Sequence, residues 1–146
     1  MTNTQIELVQ TTFKAVQPIA DKAAELFYNR LFEIDPSLRH MFRGDMREQG
    51  RKLMQMLAVA VAGLQRFDQL LPAVEDMGRR HAGYGVRDEH YATVAEALLW
   101  TLGQGLGDAF TDDVREAWTA MYVAVATAMQ RGAASPEAAL QTTAAH

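Results

Sequence analysis

The chain has 146 residues, 49% of them apolar, and a formal net charge of −4, which suits a single domain with its own core. The negative charge argues against nucleic-acid binding, which normally shows as a basic surface, and no apolar run is long enough to span a membrane. The sequence has no cysteine. Disulfides and thiolate metal centres are therefore excluded, and any metal has to be held by histidine, carboxylate, methionine or tyrosine.

The first five residues, Met1-Thr2-Asn3-Thr4-Gln5, contain neither a basic start nor an apolar stretch of the signal-peptide type. We therefore expect a cytoplasmic protein. Apolar residues recur at helical spacing along the whole chain, which predicts an all-α fold of about seven helices.

The first two helices are marked by capping residues and prolines. Any of Thr2, Asn3 and Thr4 can cap the first helix. Pro18 suits the first turn of the second helix, which should end at Asp35-Pro36. The residues expected to face inward are Ile6, Val9, Phe13 and Val16 in the first helix, and Ala20, Ala23, Ala24, Phe27, Leu31 and Ile34, with Tyr28 beside Phe27, in the second.

A long helix is predicted from about Met46 to Gln65. Gln49 lies four residues before Leu53 and therefore on the same face, one turn earlier. The apolar stripe of this helix is Leu53, Met56, Leu57, Ala60, Val61 and Leu64.

The next helix runs from about Asp68 and carries His81 in its last turn, with Gly83 and Gly85 suited to the left-handed turn that closes it. A histidine here can donate the N–H of one ring nitrogen to a carbonyl near Met77, which leaves the other ring nitrogen free for a metal. The alternative is that His81 only favours the negative end of the helix dipole.

Asp88 can cap the following helix, and Thr111 the last one. We interpret His40 and His90 as surface or capping residues. The domain should cover residues 1–133, and residues 134–146 should form a loosely ordered tail. The inner faces are predicted to be Tyr91, Val94, Leu98, Leu102 and Leu106, and then Val114, Trp118, Met121, Tyr122, Val125 and Met129.

Several short motifs follow one another in the order found in globins. They are Arg30-Leu31-Phe32, the turn from Leu38 to Phe42, Gln49-Gly50-Arg51-Lys52-Leu53-Met54, Gly78-Arg79-Arg80-His81, Val94-Ala95-Glu96-Ala97-Leu98-Leu99 and Ala117-Trp118. Over residues 4 to 132 the chain resembles bacterial single-domain globins close to flavohaemoglobins, and it is also similar to neuroglobins. The resemblance implies a globin fold around a haem pocket.

The same resemblance assigns site residues. It implies non-covalent haem b with His81 as the proximal iron ligand and Phe42 stacked on the haem. Tyr28, Gln49 and Leu53 would line the distal face, with Tyr28 and Gln49 as the paired donors. Tyr91 matches a proximal tyrosine of the flavohaemoglobin branch, although we expect it to serve mainly in packing. Lys52 matches a basic residue near a haem propionate, with an exposed helix lysine as the alternative. The expected pocket is completed by Val86, Val94 and Leu98.

Two positions depart from the family pattern. Gln49 stands where neuroglobins carry a histidine that binds iron, and an amide is a poor iron ligand. The run Met129-Gln130-Arg131-Gly132-Ala133 lacks the glutamate that flavohaemoglobins use to order their proximal network. A strong electronic push from the proximal side is therefore not expected.

The resemblance implies reversible binding of O2, with NO and CO as further ligands. The expected chemistry is nitric oxide detoxification by a dioxygenase that depends on a separate reductase, since the chain has no flavin or nicotinamide domain. Two alternatives stay open: oxygen storage, delivery or sensing without turnover, and a haem-free helical interaction module. We expect a monomer or weak homodimer with no membrane partner.

Overall fold

A computed structural model describes residues 1–134, and these form helices and turns without a β-strand. The α-helices are α1 (Asn3–Val16), α2 (Ala20–Ile34), α3 (Met46–Ala62), α4 (Phe67–Gly83), α5 (Asp88–Leu106) and α6 (Asp112–Ala133). Short 3-10 turns cover Gln17–Ile19, Pro36–Met41, Leu64–Arg66 and Gly107–Ala109. None of the helices in this part of the chain is long and apolar enough to cross a membrane.

The all-α prediction is confirmed, but the described residues hold six α-helices, fewer than the expected number of about seven. The stretches between them are too short, or too rich in proline and glycine, for full α-helical turns. Pro36, for example, begins a six-residue 3-10 turn in which the Asp35 carboxylate accepts the backbone N–H of Ser37 at 3.1 Å. Apart from Ala134, the predicted tail lies outside the described residues.

Three of the six described α-helices, α1, α3 and α6, begin after a residue whose side chain caps the helix. Thr2 caps α1 in a reciprocal pair with Gln5, and the Thr111 hydroxyl accepts the backbone N–H of Val114 at 3.3 Å. Asp88 is the first residue of α5 and not its cap. Instead, the Nδ1 atom of His90 accepts the backbone N–H of Arg87 at 2.9 Å.

His40 is exposed, as expected. His90 is a capping residue with only 6% of its surface exposed, so the surface alternative was wrong for it.

The main core is centred on α6, where Trp118 is completely buried. Its indole N–H donates to the Thr12 hydroxyl of α1 at 2.9 Å, and that hydroxyl in turn donates to the carbonyl of Leu8 at 2.6 Å. Most residues predicted to face inward are buried or half-buried, but Met56 is 42% exposed. It lies on the flank of α3, turned away from Val61, where the buried face of that helix is centred.

The consecutive helices α3 and α4 rest on different partners. Helix α3 packs on α2 and α1, whereas α4 packs mainly on α6. Within residues 1–134 the two helices make little contact with each other, and we call the space between them the cleft. Leu53, Met54 and Leu57 of α3 are half-buried.

Candidate functional site

Tyr28 of α2 and Gln49 of α3 come together where these two helices pack on each other. Tyr28 is buried, and Gln49 is half-buried, so the glutamine does not simply face solvent. Burial raises the pKa of the Tyr28 hydroxyl, and a hydrogen bond with the Gln49 side chain acts in the opposite direction. Two polar groups from different helices therefore share one apolar environment.

Phe42 packs at the same place. Its ring lies 5.3 Å from that of Tyr28 and 5.5 Å from that of Phe32, both in edge-to-face geometry. It follows the 3-10 turn Pro36–Met41 in extended conformation, with its backbone N–H donating to the carbonyl of Arg39. The structure thus brings Tyr28, Phe42 and Gln49 into one cluster. Phe32, which the sequence analysis used only as a motif residue, belongs to it as well.

Leu53 follows Gln49 by one turn and borders a small internal cavity of about 20 Å³. Leu98, buried in α5, lines the same cavity, together with Trp118 and the aliphatic residues Met54 and Leu57. Val94 packs against the main core and is half-buried, as is Val86. Lys52 is exposed on α3.

His81 is half-buried in the last turn of α4. Its Nδ1 atom lies 2.7 Å from the carbonyl oxygen of Met77, one turn earlier. Because a carbonyl only accepts, Nδ1 carries a proton, and in the neutral ring Nε2 then keeps its lone pair. The hydrogen bond proposed from the sequence is therefore present, and it leaves the nitrogen that a metal would need.

The turn after His81 is closed by Gly85 rather than by Gly83. Gly85 has a φ of 95°, whereas Gly83 belongs to α4 and lacks a positive φ. The backbone N–H of Val86 donates to the carbonyl of His81, and that of Gly85 to the carbonyl of Ala82, both at 3.1 Å. This pair of bonds is the Schellman motif, which fixes the helix end directly after the histidine.

Beneath His81 lies a second, smaller cluster of buried residues, against which Tyr91 packs. The Tyr122 hydroxyl of α6 donates to the Tyr91 carbonyl at 2.6 Å. Burial raises the pKa of Tyr91, and the nearby Asp88 carboxylate raises it further. The acid near Tyr91 thus comes from the start of α5, while the last helix supplies Gln130, 3.5 Å from Asp88. The members of the second cluster are Val74, Met77, Ala128 and Met129.

Sequence reasoning missed Asp88 in this position because it was assigned to capping α5. No local pattern distinguishes a carboxylate that caps a helix from one that lies one residue further and faces a tyrosine. The contact between Tyr122 and Tyr91 also joins residues from different helices, so neither helix shows it alone.

We expect Tyr122→Phe to destabilise the fold by about 1 kcal/mol near neutral pH, the usual contribution of one hydrogen bond. Burial raises the pKa of Tyr122 above its ordinary value of 10.0, and the neighbouring Tyr91 adds to the shift. The unfolded chain therefore loses this proton first, and the contribution falls as pH rises above about 10. The measurement is urea unfolding at neutral and at alkaline pH. The difference in free energy of unfolding between wild type and Tyr122→Phe should be smaller at alkaline pH.

Tyr84 offers a matched control, because it is 70% exposed. Tyr84→Phe should leave stability nearly unchanged at both pH values. A gap between wild type and Tyr122→Phe that stays constant across the two pH values would contradict this account.

The haem that the resemblance implies fits these residues. Helix α3 contributes the apolar side chains of Leu53 and Leu57, the Phe42 ring packs beside Tyr28, and His81 of α4 offers its Nε2 nitrogen. Apolar side chains with an aromatic ring and one histidine ligand are the usual components of a haem pocket. Within residues 1–134 no group of three or more histidine or carboxylate side chains could hold a bare metal ion. The donor set suits a metal that arrives already held by a macrocycle.

Comparison with known proteins gives consistent matches. A flavohaemoprotein of Vibrio cholerae is 31% identical over 125 residues, which cover 84% of this chain and 32% of that protein. One from Bacillus subtilis is 30% identical over 129 residues, covering 86% and 32%. This chain thus spans about a third of the length of these relatives.

Among solved structures, an engineered carbene transferase from Rhodothermus marinus, assigned as a nitric oxide dioxygenase, superposes with a TM-score of 0.85. It is 26% identical, and the match covers 97% of this chain and 99% of the other. The family model for globins matches residues 25–129. On these grounds the chain belongs to the globin family.

Proposed function

We propose that this protein binds haem b through His81 and binds dioxygen reversibly. We further propose that it converts nitric oxide to nitrate when a reductase supplies electrons. The observation that carries the proposal is the geometry of His81, whose Nδ1 atom lies 2.7 Å from the Met77 carbonyl oxygen and whose Nε2 atom is left for a metal. The buried Tyr28 and the half-buried Gln49 add two polar side chains that can donate to a gas. Membership of the globin family supports the proposed haem binding, and the description of the Rhodothermus marinus relative supports the proposed reaction with nitric oxide.

His81, Phe42 and Leu53 would hold the group in place. Bound haem supplies an iron that binds diatomic gases and exchanges one electron. The Met77 carbonyl keeps the proton of His81 on Nδ1 and so presents the lone pair of Nε2 in a fixed orientation. The apolar side chains of the cleft exclude water, which strengthens every polar interaction within it.

Tyr28 and Gln49 would act on the gas. Dioxygen becomes a hydrogen-bond acceptor when it is polarised, and the Tyr28 hydroxyl and the Gln49 amide are both able to donate. Two donors would slow the dissociation of dioxygen, so that nitric oxide can react with it before it is released. Gln49 can also accept, so it can orient the Tyr28 hydroxyl as well as donate.

The overall reaction, NO + O2 + e⁻ → NO3⁻, consumes one electron for each nitric oxide. These 146 residues contain no nucleotide-binding glycine loop that follows a strand. We therefore propose that the electron comes from a reductase outside them. The curated relatives are about three times as long, and they carry the name of flavin proteins.

The test is to mix the oxygenated protein with nitric oxide and follow nitrate, first for one turnover and then with an added flavin reductase. We expect one nitrate per protein without the reductase and repeated turnover with it. A single oxidation with every reductase tried would leave oxygen binding alone as the function. A purified protein that is colourless and takes up no haem would contradict both and favour an interaction module.

A further inference from the structure

Helices α4 and α6 touch backbone to backbone at two glycines. A methyl group added to Gly78 of α4 would overlap the main chain of Met129 in α6, including its carbonyl oxygen. A methyl group added to Gly132 of α6 would overlap the main chain of Glu75 in α4 in the same way. The crossing is therefore reciprocal, since each helix supplies one glycine and one stretch of backbone.

Neither overlap can be relieved by moving a side chain, because the atoms in the way are backbone atoms. The two helices would have to separate until the methyl group reached ordinary contact at 3.4–4 Å. Gly83 of α4 and Gly103 of α5 differ from this pair: the first has nothing within 4 Å and the second has only ordinary contact with Phe110. A glycine inside a helix costs about 1 kcal/mol relative to alanine, so close packing is the gain that offsets it at Gly78 and Gly132.

The crossing lies next to the proposed iron ligand. Gly78 precedes His81 by three residues, about one helical turn. Met77, whose carbonyl holds the Nδ1 proton of His81, is buried in the small cluster that α4 forms with α6. Since α4 packs mainly on α6, the separation of these two helices sets the position of the histidine relative to the cleft.

We propose that Gly78 and Gly132 are positioning residues for the proximal histidine, a role that rests on the haem-binding function proposed above. The two glycines allow α4 to pack closely on α6, and this distance sets how far Nε2 of His81 projects into the cleft. It therefore tunes the strength of the bond between His81 and iron and the retention of haem.

The experiment compares haem-loaded wild type with Gly132→Ala, Gly78→Ala and the control Gly83→Ala. Resonance Raman spectra of the reduced, ligand-free protein report the iron–histidine stretching band. Transfer of haem to an excess of an acceptor apoglobin reports retention. The C–O stretching band of the carbon monoxide complex reports the opposite side of the cleft.

We expect Gly132→Ala and Gly78→Ala to shift the iron–histidine band and to speed haem transfer by about tenfold or more, the scale for losing an outer-shell partner of a metal ligand. The C–O band should stay in place. Gly83→Ala should change none of the three. Gly50→Ala gives a useful contrast, because its methyl group would meet the Ala24 side chain at 2.9 Å where α3 crosses α2. It should affect the C–O band and leave the iron–histidine band unchanged.

If the two alanine variants do not fold, Ala128→Val replaces them. Ala128 belongs to the same cluster, and two added methyl groups push the helices apart more mildly. An iron–histidine band at the wild-type position in a folded, haem-bound Gly132→Ala or Ala128→Val protein would overturn the positioning role, even if that protein melted at lower temperature. A wild-type protein that binds no haem would instead overturn the function on which the role rests.

Discussion

Replacement of His81 by glycine is expected to release haem at least about a hundredfold faster, beyond the range seen for the loss of an outer-shell partner. His81 is the only proposed axial ligand, and its neighbours in α4 offer no second imidazole. Free imidazole should enter the space left by the side chain and restore the absorption spectrum. Rescue of this kind separates loss of the ligand from general loss of the fold.

The measurement is haem transfer to an acceptor apoglobin, with and without imidazole. His40→Gly is the matched control, because His40 is exposed and lies in the 3-10 turn Pro36–Met41. It should retain haem as the wild type does. Haem retained equally well by His81→Gly in the absence of imidazole would exclude His81 as the ligand.

The second large effect is expected at Tyr28. Tyr28→Phe removes a hydroxyl that is buried beside Gln49 while keeping the ring that packs on Phe42. A hydrogen bond to a charged or strongly polarised group contributes about 1.5–3 kcal/mol, which corresponds to about a ten- to hundredfold faster release of dioxygen. Carbon monoxide is less polar when bound and should respond less.

Stopped-flow displacement of dioxygen by carbon monoxide gives the release rate directly. Tyr84→Phe serves as the control, since Tyr84 is 70% exposed and directly follows α4, the helix that carries His81. Equal dioxygen release from wild type and Tyr28→Phe would mean that the hydroxyl donates elsewhere. Faster release of both gases by the same factor would indicate a change in packing rather than a lost donor.

Local patterns in the sequence were sufficient to predict much of this fold. Thr2 and Thr111 mark helix starts because their side chains satisfy backbone groups within three residues. The spacing of Gln49 and Leu53 places both on one face of α3, and the contact between Gln49 and Tyr28 agrees with that placement. Whether His81, Tyr28 and Gln49 act as proposed stays a prediction.

The features that the sequence analysis missed depend on contacts between distant residues. The sequence alone does not show which of Gly83 and Gly85 adopts the left-handed conformation. The geometry of the chain reversal assigns it to Gly85. Gly132 was considered only as part of the run that lacks a glutamate, and its contact with Glu75, 57 positions earlier in the chain, was not predicted. Met56 has helical spacing, but the direction in which α3 packs leaves it exposed.

The division of the core into two clusters has a consequence for how the protein opens. Helix α4 is anchored by a small cluster on α6, whereas α1, α2, α5 and the first half of α6 share the large one. Local opening costs least where the fewest apolar contacts are broken, so we expect α4 to open as a separate cooperative unit even though its backbone lies close to that of α6. The amide protons of α4 should exchange with solvent when α4 alone detaches. The amide protons around Trp118 should exchange only through global unfolding. A ligand held between α3 and α4 would join the two units and make their exchange rates converge.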